Sequence, residues 1–126
     1  MFRKPLAALA GALLLVGAAA VPAGAKSGDT VIKSRCSLGA KSKLKLAPRA
    51  SNNRTKIEFE VDSNVNGQSW NVEITDNGAV AFSGVKVTAA PSGSFHARAK
   101  VTGASGHAIA ATATDPASGQ TCSMSA

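Results

Sequence analysis

Apolar and polar residues alternate most cleanly between Thr55 and Ser83. In Lys56-Ile57-Glu58-Phe59-Glu60-Val61-Asp62 every second side chain is apolar, the signature of a strand with one buried and one charged face. After Asn66-Gly67 the alternation resumes as Trp70, Val72 and Ile74, with Asn71, Glu73 and Thr75 between them. Asp76-Asn77-Gly78 then predicts a reversal into Ala79-Val80-Ala81-Phe82. A three-residue loop with Gly78 in the bulge position pairs Ile74 with Val80 and Val72 with Phe82. It sets Trp70 across from Gly84 and against Phe59. A two-residue Asn-Gly loop would instead put Phe82 on the face of Glu73, so the three-residue loop is expected. Beyond Gly84 the apolar positions change parity, to Val85 and Val87, which predicts a bulge or a crossover at that glycine.

The same period extends in both directions. Thr30 to Cys36 reads as a strand with Ile32 and Cys36 on one face and Lys33 and Arg35 on the other. Lys41-Ser42-Lys43-Leu44-Lys45-Leu46 alternates strictly, and Pro48 is expected to end it. Pro91 to Ser94 is a turn. Phe95, Ala97, Ala99 and Val101 then alternate with His96, Arg98 and Lys100, which point outward. Ile109, Ala111 and Ala113 form a further inward set, Asp115 to Gly119 turns the chain, and Thr121 to Met124 closes it. No segment holds a helical period. Seven or eight short strands at this spacing predict an all-β antiparallel sandwich.

The first 25 residues have a different character. Arg3 and Lys4 precede an apolar run from Leu6 to Val21, and Ala23-Gly24-Ala25 fits a cleavage site. Residues 1–25 are therefore expected to be a secretory signal peptide and residues 26–126 a single exported domain, with no membrane contact after cleavage. Export places Cys36 and Cys122, the two cysteines of the chain, in an oxidising compartment, where one disulfide joining the first strand to the last is expected.

A resemblance appears in the last third. Gly106-His107-Ala108-Ile109-Ala110-Ala111-Thr112-Ala113-Thr114, followed by Asp115 to Gly119, is similar to the penultimate-strand motif of bacterial immunoglobulin-like domains. Trp70 on a core strand and the Ser92-Gly93-Ser94-Phe95 turn resemble the same group. The resemblance implies an immunoglobulin-like or fibronectin-III-like sandwich, and a role in adhesion, spacing or ligand presentation.

Charge supplies the one functional signal. Of 14 basic and 7 acidic residues, nine basic ones but only Asp29 among the acids fall between Lys26 and Lys56. A hairpin closed by an eight-residue loop from Pro48 to Thr55 would set Lys45 opposite Glu58, Lys43 opposite Glu60 and Lys41 opposite Asp62. The cations left over, chiefly Lys33, Arg35, Arg49 and Arg54, form the candidate binding surface. The sequence lacks G-x-S-x-G, H-E-x-x-H, C-x-x-C and a glycine-rich phosphate loop, so no catalytic residue, metal or cofactor is expected. Asp62, Asn64 and Asn66 supply one carboxylate between them, which suits an Asx turn better than calcium. His96 and His107 are expected to face solvent. The exported part has Phe59, Trp70, Phe82 and Phe95 and no tyrosine, all four aromatics falling at inward positions. Without exposed rings for stacking, nucleic acid is not an expected ligand. The expectation is a secreted, monomeric, non-enzymatic module that binds an anionic cell-envelope polymer or an extracellular protein. The alternative is an inhibitor or effector presenting the 48–54 loop to a target.

Overall fold

The computed structural model describes residues 28–126. The leader expected over residues 1–25, and Lys26, lie outside them. Eight strands run in chain order: β1 (Thr30–Arg35), β2 (Lys41–Arg49), β3 (Arg54–Asp62), β4 (Ser69–Asp76), β5 (Ala79–Val87), β6 (Ser94–Thr102), β7 (Ile109–Asp115) and β8 (Gln120–Ser125). They form two four-stranded antiparallel sheets, ordered β1-β2-β3-β6 and β5-β4-β7-β8. The all-β sandwich expected from the alternation is the architecture observed.

The inward positions of the two sheets make one core. Leu44, Ile57, Phe59, Val61, Phe95 and Ala97 come from the first sheet, and Trp70, Val72, Ile74, Ile109, Ala111 and Ala113 from the second. Trp70 is fully buried, as its place in the alternation predicts. Its ring partner is Phe95, 6.0 Å away between centroids, and Phe95 meets Phe59 edge-on at 6.4 Å. Lys86, not Gly84, lies opposite Trp70.

That difference begins at the β4–β5 turn. Asn77 (φ 51°) and Gly78 (φ 86°) both take the left-handed conformation, so the loop has two residues and Asp76 pairs with Ala79. This is the primed turn that Asn-Gly favours, because it matches the twist of the hairpin. The parity of Phe82 is then restored by a bulge: Thr75 pairs with Val80 but Ile74 with Phe82, leaving Ala81 as the extra residue. Gly84 therefore sits opposite Val72 in an unbroken strand. Val85 and Val87 lie on the outward face, 60% and 53% exposed.

A second correction concerns Pro48. Strand β2 continues through it to Arg49, so the β2–β3 loop is Ala50–Asn53, four residues and not eight. Strand β1 begins at Thr30, opposite Leu46, and reaches no further along β2, so β2 is an edge at Pro48. A residue with no N–H is tolerated there.

The Cys36–Cys122 disulfide spans 86 residues and ties the β1–β2 turn to β8. The buried Gln120 side chain beside it accepts the Ala40 N–H at 2.9 Å. At the same end of the sandwich, Gly93 (φ 72°) lies against the backbone of Asn64 and Val65. A β-carbon there would stand 2.3 Å from the Val65 nitrogen, so only glycine lets the two loops touch.

Candidate functional site

Register decides which charges share a face. In the first sheet the outward set comprises Lys33 and Arg35 from β1, Lys41, Lys43, Lys45 and Arg49 from β2, Arg54 and Lys56 from β3, and Arg98 and Lys100 from β6. Ten of the eleven described basic residues thus occupy one side of the molecule. Four acids share it: Asp29, Glu58, Glu60 and Asp62. The outward positions of the second sheet are filled by Ser, Thr, Asn, Ala and Val, with Glu73 their one charge among the described residues. The domain is electrically two-sided.

The acids neutralise the middle of the basic face and leave its ends. Lys43 pairs with Glu60 at 3.3 Å, as the hairpin register predicts. Lys45 lies opposite Glu58 as expected, but its ammonium turns to Asp29, 3.7 Å away. Glu58 is taken instead by Arg98 at 2.7 Å and by His96 at 3.1 Å. Partial burial works to raise the Glu58 pKa, but the Arg98 guanidinium and His96 imidazole outweigh it and hold the carboxyl below its usual range. Lys41 faces Asp62 across the strands but forms no ion pair with it; an Asp62 oxygen accepts the Asn64 N–H at 3.0 Å in the expected Asx turn.

The four candidate cations fare differently. Arg49 is not free: its Nη1 donates to the fully buried Asp29 carboxylate at 2.8 Å and to the Pro48 carbonyl at 2.7 Å. Arg54 lies directly opposite it in β3, so both sit in strands and not in a presenting loop. Lys33 makes no ion pair among the described residues, and Arg35 donates to the Gly39 carbonyl at 3.1 Å. Sequence reasoning missed Lys100, which β6 places directly opposite Lys56. Its outward alternation was legible; the adjacency of β6 to β3, some forty residues apart in the chain, had no local signal.

Four like-charged pairs are directly opposed across neighbouring strands: Lys33 and Lys43, Arg35 and Lys41, Arg49 and Arg54, Lys56 and Lys100. Like charges in such positions destabilise a sheet.

The histidines divide. His96 lies on the basic face between Glu58 and Glu60. His107 does not face solvent as expected: its side chain is 8% exposed, Nδ1 meets Asp76 at 2.9 Å and Nε2 meets the Gly103 carbonyl at 2.8 Å. Both partners are acceptors, so the arrangement favours the imidazolium. The Gly103 carbonyl and the Asp76 hydrogen bond together raise its pKa against the opposing effect of burial. Of the aromatics, Phe59, Trp70 and Phe95 are buried, whereas Phe82 is partly exposed, with Lys86 5.6 Å from its ring centroid. Among the described residues no group of three or more His, Cys, Asp or Glu is placed to hold a metal ion. No family model, curated protein or solved structure matches the chain.

Proposed function

We propose that this is a secreted, non-enzymatic interaction module whose first sheet holds an anionic polymer of the cell envelope against its outer face. The observation that carries the reading is the set of four opposed like-charged pairs on a surface that could have been neutral. The second sheet demonstrates the alternative, with Ser and Thr at equivalent outward positions. A polyanion laid across the face would relieve each repulsion on binding and release its own counterions. The disulfide suits an oxidising, extracytoplasmic compartment.

The strand neighbours support the finer, immunoglobulin-like reading. In that fold strands B and E are adjacent, as are C, F and G. Here β3 neighbours β6, and β4, β7 and β8 lie side by side, with the buried tryptophan on β4 at the place of strand C. Strand β1 would then be an addition at the edge, and it brings two of the cations.

The test is retention on an anionic cell-wall or heparin-like matrix across a salt gradient. Five cations of this face with neither an ion pair nor a side-chain hydrogen bond among the described residues, Lys33, Lys41, Arg54, Lys56 and Lys100, predict a log–log salt slope of roughly −3.5 at the single-strand value per contact. Elution near zero salt, or retention unchanged after charge reversal at Lys41 and Lys56, would contradict the proposal and favour a protein partner.

A further inference from the structure

We infer that one end of the basic face is a seat for a tetrahedral oxyanion, a sulfate or phosphate group carried on a polymer unit, and that it discriminates against carboxylates. The inference deepens the polyanion reading and rests on it. Arg49, Asn52, Arg54, Lys56 and Lys100 line a concavity of about 570 Å³, within the range of roughly 300–1,000 Å³ typical of small-ligand sites. That volume takes a polymer unit together with its charged group. Four of the five lining side chains are cationic, the fifth is an amide, and none is acidic. The neighbouring hollows on the same face are different: Glu58 lines one, and Glu60 and Asp62 line the other.

The arrangement follows from the strands. Arg49 on β2 opposes Arg54 on β3, and two residues further along β3, Lys56 opposes Lys100 on β6. Adjacent strands lie about 4.8 Å apart and alternate residues on one strand about 6.6 Å apart, so the four stems rise from the corners of a small quadrilateral. Cations approaching from three strands match an ion whose oxygens point in three or more non-coplanar directions. A carboxylate offers two oxygens in one plane and satisfies one fork.

The rim is also fixed in advance. Asp29 and the Pro48 carbonyl hold one nitrogen of the Arg49 guanidinium, leaving its remaining donors oriented. The Gly103 N–H donates to the Asn53 carbonyl at 2.7 Å, and the buried Thr55 hydroxyl donates to the Gly103 carbonyl at 2.7 Å. These bonds tie the Ala50–Asn53 loop, and with it Asn52, to the end of β6. A site whose donors are already ordered loses less entropy on binding.

The experiment measures dissociation constants at one fixed salt concentration for dextran sulfate, inorganic polyphosphate and polyglutamate of matched chain charge. It compares the wild type with Lys56→Ala/Lys100→Ala and with Lys33→Ala/Lys41→Ala. Thermal melts of all three confirm folding. The wild type should prefer the sulfated or phosphorylated polymer over polyglutamate by about tenfold, the value of one further charge-assisted hydrogen bond. Lys56→Ala/Lys100→Ala should bring that ratio near one. Lys33→Ala/Lys41→Ala should weaken all three polymers together and keep the ratio. Either order between sulfate and phosphate supports the seat and names its group. Equal binding of all three polymers by the wild type, or equal loss of the ratio in both double variants, overturns the seat but leaves the polyanion reading standing. Absence of binding to every polymer overturns both.

Discussion

Removing charge from the basic face should make the domain more stable. Lys33→Gln, Lys41→Gln, Arg54→Gln and Lys100→Gln together take one member from each opposed like-charged pair, and none of the four makes an ion pair among the described residues. The Lys43–Glu60 and Arg49–Asp29 pairs remain intact. Each opposed pair costs about 0.2–1 kcal/mol, and exposure to solvent puts these at the low end. Relief of all four is therefore worth about 1 kcal/mol, or a rise in Tm of about 4–8 °C for a domain of this size. Thermal unfolding followed by Trp70 fluorescence at low ionic strength measures it. A second arm adds salt. Screening at about 1 M shortens the Debye length to about 3 Å, so the wild type should gain stability and the quadruple variant should change little. A variant that melts below the wild type at low salt would refute the reasoning, because the cations would then be contributing to the fold.

Other outcomes follow from single contacts. Trp70→Ala empties the centre of the core beside Phe95 and should destabilise by about 3–5 kcal/mol, measured by urea denaturation with circular dichroism. Ser42 has a buried hydroxyl with no hydrogen-bond partner among the described residues, so Ser42→Ala should stabilise by about 1 kcal/mol in the same assay. Cys36→Ser opens a loop of 86 residues, for which chain entropy predicts a loss of about 4–5 kcal/mol, and native protein should show no reactive thiol. His107 has its pKa raised in the folded state, so its contribution is full below the unfolded value of about 6.5 and is lost as pH rises through the folded one. The Tm of the wild type should fall across that window relative to His107→Gln; parallel curves would show that the imidazolium clamp contributes nothing.

What the sequence disclosed depended on range. Strict alternation in Lys41–Leu46 and Lys56–Asp62 fixes which residues face out, and the β2–β3 register follows from it: Lys43 opposite Glu60, Lys45 opposite Glu58 and Ala47 opposite Lys56, as observed. The disulfide was legible because two cysteines leave a single pairing. The β4–β5 register departs from the expected one because two local rules compete there. Apolar parity favoured a three-residue loop, whereas the turn chemistry of Asn77-Gly78 won and the parity was recovered by a bulge at Ala81. Pro48 does not end its strand, because a proline's effect depends on whether a neighbour needs its N–H, and β1 stops short of it. The site was half visible. Lys33, Arg35 and Arg54 were recognisable as cations without a local acid, but the buried pairing of Arg49 with Asp29 and the arrival of Lys100 beside Lys56 depend on strand order, which no local pattern encodes.

The central claim, that the first sheet's outer face is the binding surface, is tested most directly by mapping backbone amide shifts while the protein is titrated with a soluble sulfated or phosphorylated polymer. The account predicts changes concentrated at Lys33, Lys41, Arg54, Lys56 and Lys100 and their neighbours, with Asn71, Thr112 and Ser123 on the opposite face unmoved. Shifts centred on β5, β4, β7 and β8, or none at a polymer excess, would contradict it.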